Sequence, residues 1–125
     1  MLDKNSVSSK TRKLVTELYQ AVDNKSIDQL EKFLGEDLRF QLGNFGALHG
    51  KAAVLDANAA FFASIKSMVH SFDGLWENGN NIICTGQVHY IRLDDSELTI
   101  PFATVLQIEN DLIKDYQVYV DVSPL

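Results

Sequence analysis

Proton-transfer chemistry needs a titratable side chain held away from water, and few residues of this chain offer one. Asp121 stands near the end of the chain in an apolar stretch, between Val120 and Val122. A carboxylate desolvated there would have a raised pKa and could serve as general acid or base. The alternative is that it accepts backbone amides and fixes the last strand. His70 and His89 lie in stretches of strand type, and imidazole is the side chain whose ordinary titration falls near neutrality. Each could equally be a sheet-surface or interface residue. His49 precedes Gly50 at a helix start, where the amide dipoles disfavour an imidazolium, so it reads as a local cap or loop residue. The three histidines show no close ligand spacing, and no metal is expected. Cys84 is the only cysteine. It can form neither an intramolecular disulfide nor a cysteine-based zinc site, and reads as a small buried hydrophobe. No cofactor is implied.

The elements that must position these groups fill the second half of the chain. From about Ser67 to Leu125 four strand segments follow one another: SMVHSFDGLWE, NIICTGQVHYIRL, ELTIPFATVLQIE and LIKDYQVYVDVSPL. They are rich in Val, Ile, Thr, Tyr and Phe, residues that suit a pleated, half-buried surface. Turn-type residues break them at Asn78-Gly79-Asn80-Asn81, Asp94-Asp95-Ser96 and Asn110-Asp111. Pairing across those turns sets Trp76 opposite Ile83, His70 opposite His89, Gln87 opposite Phe102 and Phe102 opposite Tyr119. Side chains alternate with period 2. One face then carries His70, Phe72, Trp76, Thr85, Gln87, His89, Ile100, Phe102, Thr104, Gln117, Tyr119 and Asp121. The other carries Leu75, Cys84, Val88, Tyr90, Ala103, Val105, Tyr116, Val118 and Val120. The first mixes aromatic with titratable groups, as a pocket lining does, and the second suits helix packing. A single β-bulge would exchange the two downstream of it. On this register three strand steps separate His70 from Asp121, roughly 14 Å on a flat sheet, too far for a dyad.

The first half supplies helices. Leu14, Val15, Leu18 and Val22 recur at helical spacing between about Val7 and Asn24, with Ser6, Ser8 and Ser9 as possible caps. Ser26 and Gln29 form a capping-box pattern ahead of Ile27, Leu30, Phe33 and Leu34, and Gly35 is placed to end that helix. Asp37 to Leu42 reads as a short strand, FGALHG as a second short piece, and Lys51 to about Ser64 as an alanine-rich helix. The order α-α-β-(β)-α-β-β-β-β argues an α+β fold with helices on one face of a curved sheet.

The totals bound the rest. A chain of 125 residues, 46% hydrophobic and 22% charged, reads as one domain able to bury a core, with residues 1–5 frayed. The net charge of −6 lacks the basic footprint a nucleic acid requires. No segment has the ~20 apolar residues of a membrane span and the start lacks a signal-peptide pattern, so the expected address is cytoplasmic.

Leu48-His49-Gly50 entering a helix, His70 opening the meander, Tyr90 before a hairpin, Pro101-Phe102 and the ending DYQVYVDVSPL together resemble the SnoaL-like group of the nuclear transport factor 2-like superfamily. The resemblance spans about residue 10 to the end. It implies a cone-shaped α+β barrel, a homodimer through the outer sheet face, and a pocket for a small, largely apolar molecule. Relatives include polyketide cyclases, ketosteroid isomerase and limonene epoxide hydrolase, alongside members that only bind or dimerise. The isomerase's base would fall at Gln41, which cannot take a proton, and its oxyanion-hole tyrosine near Tyr19. The epoxide hydrolase's Asp-Arg-Asp set has no counterpart on the fourth strand. The late acid/base of the cyclases matches Asp121. The implied site therefore has Asp121 moving a proton and His70 or Tyr119 polarising a carbonyl. Tyr19, Phe61, Trp76, His89, Phe102 and Tyr119 would contact the ligand, although the aromatics are most simply core residues. Two functions follow: cofactor-free isomerisation, cyclisation or dehydration, or a non-catalytic binding or dimerisation module.

Overall fold

A computed structural model describes residues 7–125. The frayed start expected at residues 1–5, and Ser6 as a cap, lie outside the described residues. The first helix, α1 (Ser9–Asp23), begins at Ser8, whose hydroxyl accepts the amide of Thr11 at 3.1 Å. Val15, Leu18, Tyr19 and Ala21 are its buried stripe. Ser26 caps α2 (Ile27–Glu31) through the amide of Gln29. Gly35 does not end that helix; it lies inside β1 (Leu34–Leu42), where a side chain would press on the Ile113 carbonyl. After a two-residue β2 (Leu48–His49), Gly50 turns the chain at φ 91° into α3 (Lys51–Ala63). His49 is exposed there and pairs with Arg39 of β1.

Four long strands follow: β3 (Ile65–Asn78), β4 (Asn81–Arg92), β5 (Glu97–Glu109) and β6 (Leu112–Tyr119). They form one six-stranded curved sheet in the order β2-β1-β6-β5-β4-β3, antiparallel except where β1 runs parallel to β6. The fold is the expected α+β class, with three helices on one face, but β2 and β3 end the sheet and it does not close into a barrel. β3 is therefore an edge strand. The last strand stops at Tyr119, so Asp121 lies beyond the sheet.

The meander was expected to alternate without interruption, and it does not. β3 is bulged between Phe72 and Gly74, so His70 and Phe72 face inward while Trp76 faces outward. Trp76 lies over Gly74, where an added Cβ would stand 2.2 Å from the indole ring. The β4–β5 loop closes on an odd number of residues, with Asp95 at φ 70°, a conformation that suits a three-residue hairpin loop. Gly86, not Gln87, therefore pairs with Phe102. The Asn110-Asp111 turn has positive φ at both residues, as expected of a tight hairpin, but a bulge at Gln107 and Ile108 moves Tyr119 opposite Ala103. Three one-residue irregularities thus redistribute both faces.

The inner face of the sheet buries Ile65, Met68, Ile82, Cys84, Val88, Tyr90, Phe102, Thr104, Leu106, Ile113 and Tyr116 against α1, α2 and α3. The outer face carries an Arg39 guanidinium bonded to Asp115, Gln117 and Gln41. Two ties close the helical layer. Lys25, at φ 53°, donates its ammonium to the carbonyls of Phe62, in the last turn of α3, and Ile65, the first residue of β3. Glu77, past the β3 bulge, accepts the Ser8 amide at 2.9 Å and the Thr11 hydroxyl at 2.6 Å, holding the start of α1.

Candidate functional site

The last residue of α1 and the middle of β3 meet at one point. Asp23 Oδ1 lies 2.5 Å from His70 Nδ1, and Asp23 Oδ2 accepts the His70 backbone amide at 2.9 Å. A carboxylate offers only acceptors, so Nδ1 is the donor of this bond, and whenever the ring is neutral Nε2 is the nitrogen that keeps its lone pair. The His70 side chain is 9% exposed. Its ring packs 4.6 Å from Tyr19 and 5.1 Å from Phe102, centre to centre. A carboxylate that both orients an imidazole and fixes its tautomer is the arrangement general acid/base catalysis uses.

His70 lines a cavity of about 390 Å³ between the sheet and the helices. Its walls come from α1 (Tyr19, Val22), β1 (Phe40, Leu42), β2 (Leu48), α3 (Ala57, Asn58, Ala60, Phe61, Phe62) and the sheet interior (Met68, Val88, Tyr90, Phe102, Tyr116, Val118), with Val120 just beyond β6. Phe45 and Gly46 of the β1–β2 loop complete the lining, and Phe45 is 58% exposed, which places it at the mouth. Tyr19 Oη and Thr104 Oγ1 share a hydrogen bond of 2.6 Å beneath the floor. Burial pushes the phenols of Tyr19, Tyr90 and Tyr116 up, Tyr90 to about 12, so all three stay protonated at neutral pH. Burial likewise raises the Cys84 thiol to about 12, leaving it an unreactive core group.

Of the residues singled out from sequence, Tyr19, Phe61, His70 and Phe102 reach this cavity. Four do not. Asp121 is outside, its carboxylate accepting the Ser123 amide at 3.0 Å. Hydrogen bonding from the Ser123 hydroxyl, and then from its amide, holds its pKa below the ordinary carboxylate value, not above it. Trp76 is turned outward by the β3 bulge. His89 is on the outer face with Nδ1 2.7 Å from Thr99 Oγ1 and Nε2 2.8 Å from Glu97 Oε1: the β3 bulge parts it from His70, and the odd β4–β5 loop parts it from Phe102. Tyr119 is outward for the corresponding reason on β6 and is 60% exposed. His70 and His89 are not opposed; His70 pairs with Val88.

The sequence profile of the SnoaL-like domain matches residues 15–116. The chain belongs to the SnoaL-like domain family. No curated protein matches it. Among solved structures it is similar to a nuclear transport factor 2-like protein of unknown function from Burkholderia pseudomallei, at 20% identity and a TM-score of 0.81 over 94% of this chain and 95% of that one. It is also similar to an epoxide hydrolase of M. tuberculosis, like limonene epoxide hydrolase, at 15% identity and 0.79 over 92% and 85%. A third is a protein of ketosteroid isomerase-like fold from Catenulispora acidiphila, solved with trimethylamine, at 16% and 0.81 over 90% and 88%. At these identities the likeness is one of fold.

For this SnoaL-like chain the residue that sequence reasoning passed over is Asp23. A signal was present: a carboxylate as the last residue of a helix opposes the macrodipole there, and such a group calls for a donor. Val88, Tyr90, Tyr116, Val118 and Val120, read from sequence as the helix-packing face, belong to or pack against the core beneath the helices and line the cavity as well. Gln41 faces outward, accepting from Arg39 and donating to the Phe45 carbonyl at 2.8 Å. Among the described residues no helix is long and apolar enough to cross a membrane.

Proposed function

We propose that this protein binds a small, largely apolar molecule in the cavity and moves a proton on it without a cofactor, with His70 as base and acid. The observation that carries this is the Asp23–His70 pair set at the wall of an otherwise apolar chamber. In the simplest step Nε2 takes a proton from a carbon next to a carbonyl, the electron pair moves into an enolate, and the imidazolium returns the proton to the same or a conjugated carbon. Isomerisation, cyclisation and dehydration each begin with such a transfer. Asp23 accepts the hydrogen bond from Nδ1 throughout and stabilises the imidazolium while it exists.

The test is hydrogen–deuterium exchange α to the carbonyl of 2-tetralone, a neutral bicyclic ketone, followed by NMR in buffered D2O. We expect exchange above the buffer rate with wild type and a loss of about 10²-fold or more with His70→Gln. Wild-type exchange no faster than buffer would reject the proposal.

A second copy of this chain is the partner we propose for the outer sheet face. Val69 and Tyr119 are 58% and 60% exposed there, beside the half-buried Trp76, Ile83 and Val105.

A further inference from the structure

Among the described residues the phenol of Tyr90 is a buried polar group of the cavity wall without a hydrogen-bond partner. Tyr90 is 3% exposed, yet its hydroxyl makes no hydrogen bond among the described residues. Polar side-chain atoms sealed from solvent all have partners among those residues, so this oxygen is open to the cavity that its residue lines. A phenol raised to about 12 keeps its proton, so it presents a donor. Its ring is fixed edge-on against Phe61, at 6.1 Å between centres and 78° between planes. Tyr90 pairs with Met68 and Val88 with His70, so on the inner face Tyr90 stands one inward position along from His70.

The walls also say what cannot enter. Among the described residues no lysine, arginine, aspartate or glutamate lines the cavity. A carboxylate or phosphate brought in would lose its water and meet no cation, with the Asp23 carboxylate behind His70 repelling it further. A cation would lose its water as well, and no carboxylate stands in the described lining to replace it.

We propose that Tyr90 Oη is the hydrogen-bond donor for a ligand oxygen, and that the site takes uncharged molecules bearing a carbonyl or hydroxyl oxygen on a ring skeleton. The proposal rests on the proton-transfer reading for its location and adds the group that fixes the reacting end. An oxygen held by Tyr90 is polarised as charge develops on it, which draws the adjacent carbon's proton toward His70.

The experiment is an equilibrium-binding panel on wild type and Tyr90→Phe with four probes of one skeleton: 2-tetralone, tetralin, tetralin-2-carboxylate and 2-aminotetralin. In wild type the ketone should bind more tightly than either ion. Tyr90→Phe should lower the ketone-to-tetralin affinity ratio by about fivefold, the worth of one hydrogen bond, while tetralin affinity stays unchanged and reports an intact cavity. An unchanged ratio, an ion binding as tightly as the ketone, or no binding by any of the four overturns the proposal. If Tyr90→Phe loses tetralin as well, the wild-type ranking of ketone against ions decides alone. The expected binding pattern without α-exchange would fault the role of His70 and leave that of Tyr90 standing.

Discussion

Asp23 makes two hydrogen bonds that a substitution can separate. In Asp23→Asn the side-chain oxygen can still accept the His70 amide, but the NH2 group would then face Nδ1. The ring would answer by moving its proton to Nε2, which leaves no base toward the cavity. We expect α-exchange of 2-tetralone to fall by about 10²-fold or more with the fold retained, and the nitrogen NMR signals of His70 to show the Nε2–H tautomer. A variant of unchanged rate would show that Asp23 is there to hold β3 alone. Position also explains why Asp121 looked attractive from sequence and yet stands outside the cavity. Its apolar neighbours Val120 and Val122 suggested desolvation, but burial is decided by what covers a residue in three dimensions. Asp121 lies past the last strand, and a local turn to Ser123 satisfies it.

At the scale of elements, the Glu77 carboxylate couples the far end of β3 to the start of α1. The Ser8 amide and Thr11 hydroxyl hold its pKa below the ordinary value of 4.5. A carboxyl that titrates lower folded than unfolded contributes stability fully above the unfolded pKa, and the contribution is lost as pH falls through the folded value. Glu77→Gln should therefore lower the melting temperature by a few degrees at pH 7, and the gap to wild type should narrow in melts taken progressively further below pH 4.5, toward pH 3. A gap that persists unchanged at pH 3 would exclude the carboxylate as its source. This contact also marks what the sequence made legible. Helix and strand order, the Ser26 cap and the Asn110-Asp111 turn could be read because each is a local pattern of residue types. The inward and outward faces could not. A bulge such as that at Phe72–Gly74 adds one residue without changing composition, and each such step reverses every side chain after it. His70 and Phe102 fell on the right face because each lies on the inward-facing portion of its own strand. Trp76, His89 and Tyr119 did not.

For the whole molecule, the outer sheet face is the surface that an assembly would cover. If two copies pair there, light scattering should give the mass of a dimer for wild type, and Val69→Asp with Tyr119→Asp should return it to a monomer without loss of secondary structure. A monomeric wild type at tens of micromolar would refute pairing. The other exposed boundary is the β3 edge, fourteen residues long, whose outward amides have no neighbouring strand. Unpaired edges of that length recruit strands from other chains and lead to aggregation. The carboxylate oxygen that takes the His70 amide occupies one of those edge donors, and the bulge two residues on bends the strand away from a flat template. Protection against unwanted strand addition and the orientation of an imidazole are thus vested in one side chain. Selection for solubility alone would keep an aspartate at position 23, so a relative without the histidine can still carry the carboxylate of the pair.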